Sequence, residues 1–481
     1  MARPPEEFVK EITPPSEDYS QWYLDVVRKA ELADYAPVKG TLVIRPAGYA
    51  IWERIQAGLD RRFKETGHQN AMFPLFIPES FLRKEAEHVA GFAPEVAWVT
   101  QGGGETLAER LAVRPTSETV IGYMYAKWIQ SYRDLPVLLN QWCNVVRWEK
   151  ATRPFLRSTE FLWQEGHTAH ATEAEAHEET LRMLEVYRDF LEREMAIPVV
   201  IGRKSEREKF AGAVATYCCE ALMGDGRALQ AATSHELGTH FAEAFGIRFL
   251  DRDGVEKPVW QTSWGASWRL LGALIMVHGD ERGLVIPPRL APTQVIMVPI
   301  APGKERESVL TRTRQLKAGL DALYRVQVDD REEYTPGWKF NEWEMRGVPV
   351  RLELGPRDLK AGQAVLSRRD TGERITVPQE DLNHAVGELL GQIQDDLLKR
   401  ARERLREYTW TVDTLSELGS RMAEERGMYV SGWCGREPCE LEVKETTGAT
   451  LRAIPFEGEV PPKCLVCGGP AQHRVVFARA Y

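Results

Sequence analysis

No stretch of this chain is apolar enough to cross a membrane: LLGALIMV at 270–277 is about the longest run, well short of the ~18 residues a spanning helix needs. The opening residues, MARPPEEFVKEITPPSEDYS, hold no apolar segment that could serve as a signal-peptide core. The chain is therefore expected in the cytoplasm and away from membranes. No G-x-x-x-x-G-K-[ST] occurs, which excludes a P-loop. Gly102-Gly103-Gly104 does not extend to G-x-G-x-x-G, because Leu107 stands where the last glycine belongs. His235-Glu236-Leu237-Gly238-Thr239-His240 looks like a zinc-protease helix at first sight. Its histidines are five apart, about 140° around a helix, and cannot share a face. Basic residues are in deficit, 62 Lys+Arg against 71 Asp+Glu for a net charge of −9, so any grip on a polyanion must come from local patches. Cysteine is sparse until the C-terminal end: Cys143, Cys218 and Cys219 are scattered, and four of the seven lie beyond residue 430.

What is present is an ordinary globular composition, 43% apolar and 28% charged, over 481 residues. At about 100–200 residues per domain that length suggests two to four domains. Fourteen Trp and fourteen Tyr imply large cores or stacking surfaces. Residues 1–20 are polar and proline-containing and read as a loose arm. WYLDVVRKAEL (22–32) is helical in pattern. PAGYAIWERIQAGLDRRFK (46–64) predicts a longer helix that starts on a proline and turns Tyr49, Ile51, Trp52, Ile55 and Leu59 to one face. HQNAMFPLFIP reads as a strand ended by Pro74 and Pro78. Residues 137–149 and 160–170 predict two strands flanking the polar loop KATRPFLRST, and a long charged helix follows over 173–195. Strand-like pieces recur at 197–201, 247–251 and 258–263, and GASWRLLGALIMVHG reads as a helix. The prolines of VIPPRLAPTQ (285–294) mark a boundary. Beyond it strands and helices alternate, as in a compact α/β domain, and residues 396–428 read as a charged helical connector to the cysteine-rich end.

Three groups of residues carry chemistry. Arg147-x-Glu149 ends the first of the paired strands, Arg157 lies in the following loop, and Arg269 opens a helix after WGASW. Guanidinium forks fixed on a hairpin suit a triphosphate, although each arginine taken singly reads equally as a surface ion pair. On the second strand a period of two turns Phe161, Trp163, Glu165 and His167 to one face, which could hold a small ammonium ligand or simply be half-buried. Arg114-Pro115-Thr116-Ser117-Glu118 scans as a helix-capping signal with Thr116 or Ser117 as the cap, and Gln230-x-x-Thr233-Ser234-His235 as a polar turn. Cys434-x₄-Cys439 and Cys464-x₂-Cys467, 24 residues apart, have the layout of a closed tetrahedral zinc site. Four thiolates leave no open position, so such a metal is structural. His473 is a possible substitute ligand, free thiols are the alternative, and the remaining cysteines read as core thiols.

RPTSETVIGYMY (114–125), VVRWEKATRPFLRSTEFLWQEGHTAH (145–170), GRALQAATSHELG (226–238) and QTSWGASWRLLGALIMVHGDERGLVIPPRLAP (261–292) together resemble the class II aminoacyl-tRNA synthetases, and among them the prolyl-tRNA synthetases of the archaeal/eukaryotic-like type. The likeness spans nearly the whole chain, and the HIGH and KMSKS markers of class I are missing. The resemblance implies an α+β catalytic domain with an antiparallel sheet (21–286) after an arm (1–20). An α/β anticodon-binding domain (293–395) would follow, then a helical connector and small zinc-binding domain (396–481). It implies proline activation by ATP with Mg²⁺, transfer to the 3′ end of tRNA(Pro), a structural Zn²⁺ on Cys434, Cys439, Cys464 and Cys467, and a homodimer built on the helix after Pro46.

Carried over position by position, the resemblance makes Arg147 and Arg269 catalytic. Arg147 would bind the ATP α-phosphate and the proline carboxylate, and Arg269 would face the γ-phosphate. Glu149, Arg157, Ser158, Gln230, Thr233 and Ser267 would complete the ATP site. Thr116 and Glu118 would hold the proline amine, His235 would close the pocket, and Phe161, Trp163, Glu165 and His167 would line it. A cysteine near position 116 would be expected of the threonyl enzymes, whose pocket zinc reads a hydroxyl; Thr116 disfavours that substrate. The segment between the second and third class motifs has no room for an editing domain. Lys339, Glu344, Arg357 and Arg368 are the anticodon candidates, and Tyr481 matches an extension whose terminal carboxylate can reach the catalytic domain. The alternatives are a class II synthetase for another small amino acid, or a non-catalytic paralogue that binds tRNA or an amino acid.

Overall fold

The computed structural model describes residues 12–88, 96–300 and 303–481. Residues 1–11 of the expected arm lie outside that range. The rest of the arm is not loose: Ile12 is buried in the main core, and Asp18 caps the helix Tyr19–Lys29 by accepting from the Gln21 amide. A short hairpin, β1 (Ala33–Tyr35) and β2 (Leu42–Ile44), leads into the helix Pro46–Glu65. Its proline sits in the first turn, where no amide is needed, and it buries Ile51, Trp52, Ile55, Leu59 and Phe63. Tyr49, expected on that face, is exposed. The single strand expected over 68–78 is split between two sheets as β3 (Gln69–Asn70) and β4 (Phe76–Pro78). Then come β5 (Trp98–Gly102), β6 (Glu105–Val113), the helix Glu118–Trp128, and the long antiparallel pair β7 (Val137–Val146) and β8 (Glu160–His170).

The helix Glu173–Arg193 is fixed at its start by a capping box between Thr172 and Glu175. After it come β9 (Val199–Arg203), β10 (Ala215–Leu222), β11 (Ala228–Gly238), β12 (Arg248–Leu250), β13 (Glu256–Pro258), β14 (Trp260–Ser267) and the helix Arg269–His278. Two of these strands have no counterpart in the sequence reading. Every residue of β10 is buried, so the hydrophobic alternation that betrays a one-sided strand is absent. The stretch around Gln230, read as a turn, is β11 in the middle of the sheet.

The second lobe runs β15 (Val295–Pro299), helix Arg306–Leu320, β16 (Val326–Val328), helix Pro336–Met345, β17 (Val350–Leu354), β18 (Gln363–Arg368) and β19 (Arg374–Pro378), a five-stranded mixed sheet. The helix Leu382–Glu407 then leaves that sheet for the C-terminal module, so the boundary expected at 395/396 falls inside one continuous helix. The connector beyond it contains β20 (Thr409–Thr411) and the helix Leu415–Glu424. The remaining strands, β21 (Met428–Trp433), β22 (Thr450–Pro455) and β23 (His473–Ala478), do not form a separate layer. Through β22 pairing with β9 they extend the catalytic sheet to eleven strands, in the order β20-β21-β23-β22-β9-β10-β11-β14-β8-β7-β3. Among the described residues no helix is long and apolar enough to cross a membrane.

Within this sheet Gly166 of β8 lies opposite Trp264 of β14, whose indole is buried. A Cβ on residue 166 would stand 2.1 Å from the ring. Gly166→Ala is expected to destabilise the chain by about 2 kcal/mol or more, because a packed indole cannot give way. Chemical denaturation measures this; an unchanged midpoint would contradict the packing described.

Candidate active site

The open face of β8, β11 and β14 and the segment before the helix Glu118–Trp128 enclose a cavity of about 260 Å³. Its walls include Thr116, Glu118, Arg147, Phe161, Trp163, Glu165, His167, Gln230, Thr233, His235, Ser267 and Arg269, twelve residues singled out from sequence. Alternation puts Phe161, Trp163, Glu165 and His167 on this face, and the sheet register sets Ser263 of β14 between His167 and His235.

At the acidic end, the Thr116 hydroxyl donates to Glu118 Oε2 at 2.5 Å. That commits the hydroxyl proton, so Thr116 presents an acceptor lone pair to any ligand. Ser117 begins the helix but does not cap it with its side chain, against the capping expectation. Its hydroxyl donates instead to Glu165 Oε1 at 2.5 Å, joined there by Gln141 Nε2 at 2.9 Å, while His167 Nε2 meets Glu165 Oε2 at 3.1 Å. Burial opposes the Glu165 charge, but the bond and charge of His167, with Ser117 and Gln141, outweigh it and hold the carboxyl below the usual range. Burial likewise opposes protonation of His167, and Glu165 and Glu118 together overcome it and raise its pKa. Glu118 is raised, first by burial, with the His167 charge acting against this and Glu165 reinforcing it. His235 is pushed down to about 3 by burial and by the charge of His167, and is neutral. Glu118 and Glu165, with His167 bonded to Glu165, thus make this the acidic end of the cavity, next to the aromatic walls.

The other end is cationic. Arg147 Nε donates to the Pro115 carbonyl at 3.1 Å, and its guanidinium lies over Phe161 and Trp163 at 5.5 and 5.2 Å. Arg269 Nε donates to the Leu156 carbonyl at 3.2 Å. Burial first, then the charges of Arg147 and Arg157, push Arg269 down to about 10. Cations crowded without water favour an incoming anion. Glu149, Arg157 and Ser158 stand outside the cavity wall: Arg157 pairs with Glu149 at 3.6 Å on the exposed loop, and Ser158 is buried with no hydrogen-bond partner for its Oγ among the described residues.

Some wall residues were not anticipated. Phe210 lies 4.9 Å from the His235 ring, and Thr216 Oγ1 meets His235 Nδ1 at 2.9 Å. Phe210 belongs to a polar loop with no periodicity, and the cross-strand neighbours of His235 become visible only once β10 and β11 are recognised as strands. Arg114, quoted only as part of a motif, is buried and braces the wall through the Phe73 and Asn144 carbonyls.

The four cysteine sulfurs converge to within 4.8 Å of one another, with Cys434 and Cys439 3.6 Å apart. A tetrahedral zinc at about 2.3 Å from each sulfur spaces them about 3.8 Å, so the set fits. His473 is not in that cluster. In the second lobe, Lys339 is buried with its ammonium on the Asp329 carbonyl, and Arg368 is buried between Asp370 and Asp396. As folded, both are committed to internal partners. Glu344 holds Arg351 at 2.8 Å, and Arg357 is exposed.

Comparison with known proteins covers the whole chain. Residues 99–278 match the family described as tRNA synthetase class II core domain (G, H, P, S and T). Residues 294–389 match the anticodon binding domain, and 416–481 match prolyl-tRNA synthetase, C-terminal. Similar curated proteins include the proline–tRNA ligase of Natranaerobius thermophilus, 62% identical over all of both chains. That of Symbiobacterium thermophilum is 61% identical over 98% of this chain and 99% of its own. That of Rubrobacter xylanophilus is 58% identical over 99% of this chain and all of its own.

Proposed function

We propose, for a chain that belongs to the class II prolyl-tRNA synthetases, that the cavity on the open face of the central sheet is where proline meets ATP. The enzyme is a proline–tRNA ligase. It forms prolyl-adenylate and passes the prolyl group to tRNA. The observation that carries the site assignment is the division of the cavity into an anionic, aromatic end and a cationic end, which matches the two charges of proline and the phosphates of ATP.

The secondary ammonium of proline has two N–H donors. The Thr116 lone pair and the Glu118 carboxylate accept them, Phe161 and Trp163 pack the ring, and Glu165 with His167 maintains the charge balance beneath. Arg147 holds the proline carboxylate beside the α-phosphate. A carboxylate oxygen then attacks phosphorus in line, and the bond to the bridging oxygen breaks to release pyrophosphate. Arg147, Arg269 and the Mg²⁺ that accompanies ATP carry the charge. The nucleophile is already ionised, so no protein base is needed, and the chain contributes positioning and electrostatics. Glu149 would accept from the adenine amino group, and Arg157, Ser158, Gln230, Thr233 and Ser267 would complete the nucleotide site. The terminal 3′-hydroxyl of tRNA(Pro) then attacks the carbonyl and displaces AMP. Proline-dependent pyrophosphate exchange over an amino-acid panel tests the pocket; strong exchange with threonine or serine and none with proline would defeat it.

The raised pKa of Glu118 has a consequence for pH. As pH falls, Glu118 takes up its proton before an ordinary carboxylate would, and the proline ammonium loses its anionic partner. The KM for proline is expected to rise as pH is lowered, beginning above the usual carboxylate range, and Glu118→Gln should have a high, pH-independent KM. A flat wild-type profile would contradict this.

Zinc on Cys434, Cys439, Cys464 and Cys467 is supported by the convergence of their sulfurs, and would supply a structural cross-link. A homodimer is supported by the apolar side chains of Tyr35, Val38, Val43 and Tyr49, exposed on the β1–β2 hairpin and the start of the helix after it. A second copy would cover them. The second lobe would engage the anticodon of tRNA(Pro), with Arg357 and Glu344 the more accessible candidates, and the work would be done in the cytoplasm.

A further inference from the structure

Behind the cationic end of the cavity lies an ion cluster that none of the roles above uses. Glu220 of β10 is fully buried, and two buried cations share it. Lys204 Nζ donates to its Oε1 at 2.7 Å, and Arg452 reaches both oxygens through Nε and a terminal nitrogen, each at 3.0 Å. The side chains of Lys204, Glu220 and Arg452 are 1%, 0% and 9% exposed. Lys204 also donates to the Arg452 carbonyl at 2.7 Å, closing the cluster. Arg452 belongs to β22 of the C-terminal module, whereas Lys204 and Glu220 belong to the catalytic domain.

Two features tie this cluster to ATP rather than to docking alone. The first is backbone geometry. Arg452 is the extra residue of a bulge between β22 and β23, and Glu220 borders a bulge between β10 and β11, where Ala231 is the extra residue. Bulges re-aim side chains, and these two converge on one carboxylate. Directly across the second bulge from Glu220 is Gln230, whose carbonyl accepts from Arg269 at 3.4 Å. The second feature is charge. Glu220 and Arg452 both act on the Arg269 guanidinium, the Glu220 carboxylate supporting its charge and the Arg452 guanidinium opposing it, so the cluster is close enough to Arg269 to influence it.

We propose that Arg452 and Lys204 are positioning residues for ATP. Through Glu220 they hold the bulged segment that carries the Gln230 carbonyl against Arg269. The C-terminal module is then part of the ATP site although it does not line the cavity. This rests on Arg269 binding ATP, as assigned above.

The test uses the full-length, metal-loaded enzyme and measures KM for ATP and for proline in pyrophosphate exchange. KM does not depend on the active fraction, so partial misfolding does not obscure it. Arg452→Met is expected to raise KM for ATP by about tenfold or more while KM for proline moves by less than about twofold; Arg452→Lys, which keeps the charge, should recover most of the loss. Lys204→Met, which leaves the Arg452–Glu220 fork in place, should shift the ATP value in the same direction and serves if Arg452→Met folds poorly. Lower thermal stability with both KM values unchanged, or equal rises for ATP and proline, would overturn the proposal. Arg269→Ala in the same assay separates the two claims. A normal KM for ATP there defeats the site assignment, whereas a crippled Arg269→Ala beside unaltered Arg452 and Lys204 variants defeats only the positioning role.

Discussion

Arg147→Ala is expected to lower kcat/KM for proline-dependent pyrophosphate exchange by about a thousandfold, the scale of losing a preorganised charge-stabilising donor. Arg147 stands between the two halves of the cavity, with its guanidinium over Phe161 and Trp163 and its Nε anchored on the Pro115 carbonyl. In the proposed mechanism it would touch both the proline carboxylate and the α-phosphate, so its loss would remove alignment and charge together. Folding should survive, because that anchor is a single hydrogen bond worth about 1 kcal/mol. Arg147→Lys should fall between the two, since an ammonium keeps the charge but loses the planar fork. A folded Arg147→Ala enzyme with near-normal exchange would remove Arg147 from the mechanism.

Cys464→Ser, or removal of metal by a strong chelator, is expected to unfold the C-terminal module. Structural zinc contributes about 10 kcal/mol or more to small folded units, comparable with the total stability of a domain. Three of the four cysteines are buried inside the module's own core, beside Trp433, Leu465 and Phe477. The consequence should not stop at the module. Since β22 pairs with β9, the loss exposes an edge of the catalytic sheet. It also releases Tyr481, whose amide donates to the Ala228 carbonyl and whose ring lies under Arg153 of the loop between β7 and β8. Adenylate formation should therefore fall together with the melting temperature. Metal analysis should find about one zinc per chain, as for closed four-cysteine sites; a metal-free chain of undiminished stability would overturn the assignment.

How far the site could be read from sequence depended on how local its signals are. The strand Phe161–His167 was legible because alternation with a period of two is a property of the backbone, and it put four wall residues on one face. The cysteine pairs were legible because their spacing is itself chemical information, whereas Arg147 and Arg269 each read equally as a surface ion pair until the family resemblance singled them out. Ser117 misled: a serine before a glutamate-led helix ordinarily caps it, but the buried Glu165, 48 positions further along, needs a donor more than the helix end does. Phe210, Thr216 and Ser263 carried no signal, because nothing local distinguishes a wall residue from a loop or strand residue until neighbouring strands are aligned.

Most of the helices, the acidic and basic residues of the candidate site and the cysteine pairs were legible along the chain, since short-range sterics, hydrophobic period and ligand spacing act over a few residues. Tertiary structure decided which of those residues face each other. It buried β10 on both sides, carried one helix from the second lobe into the third, and joined the C-terminal strands to the catalytic sheet through β22 and β9. It also brought Arg452 to Glu220 across 232 positions. Such choices depend on burying charge and backbone hydrogen bonds between segments distant in sequence, and a one-dimensional pattern carries no term for that.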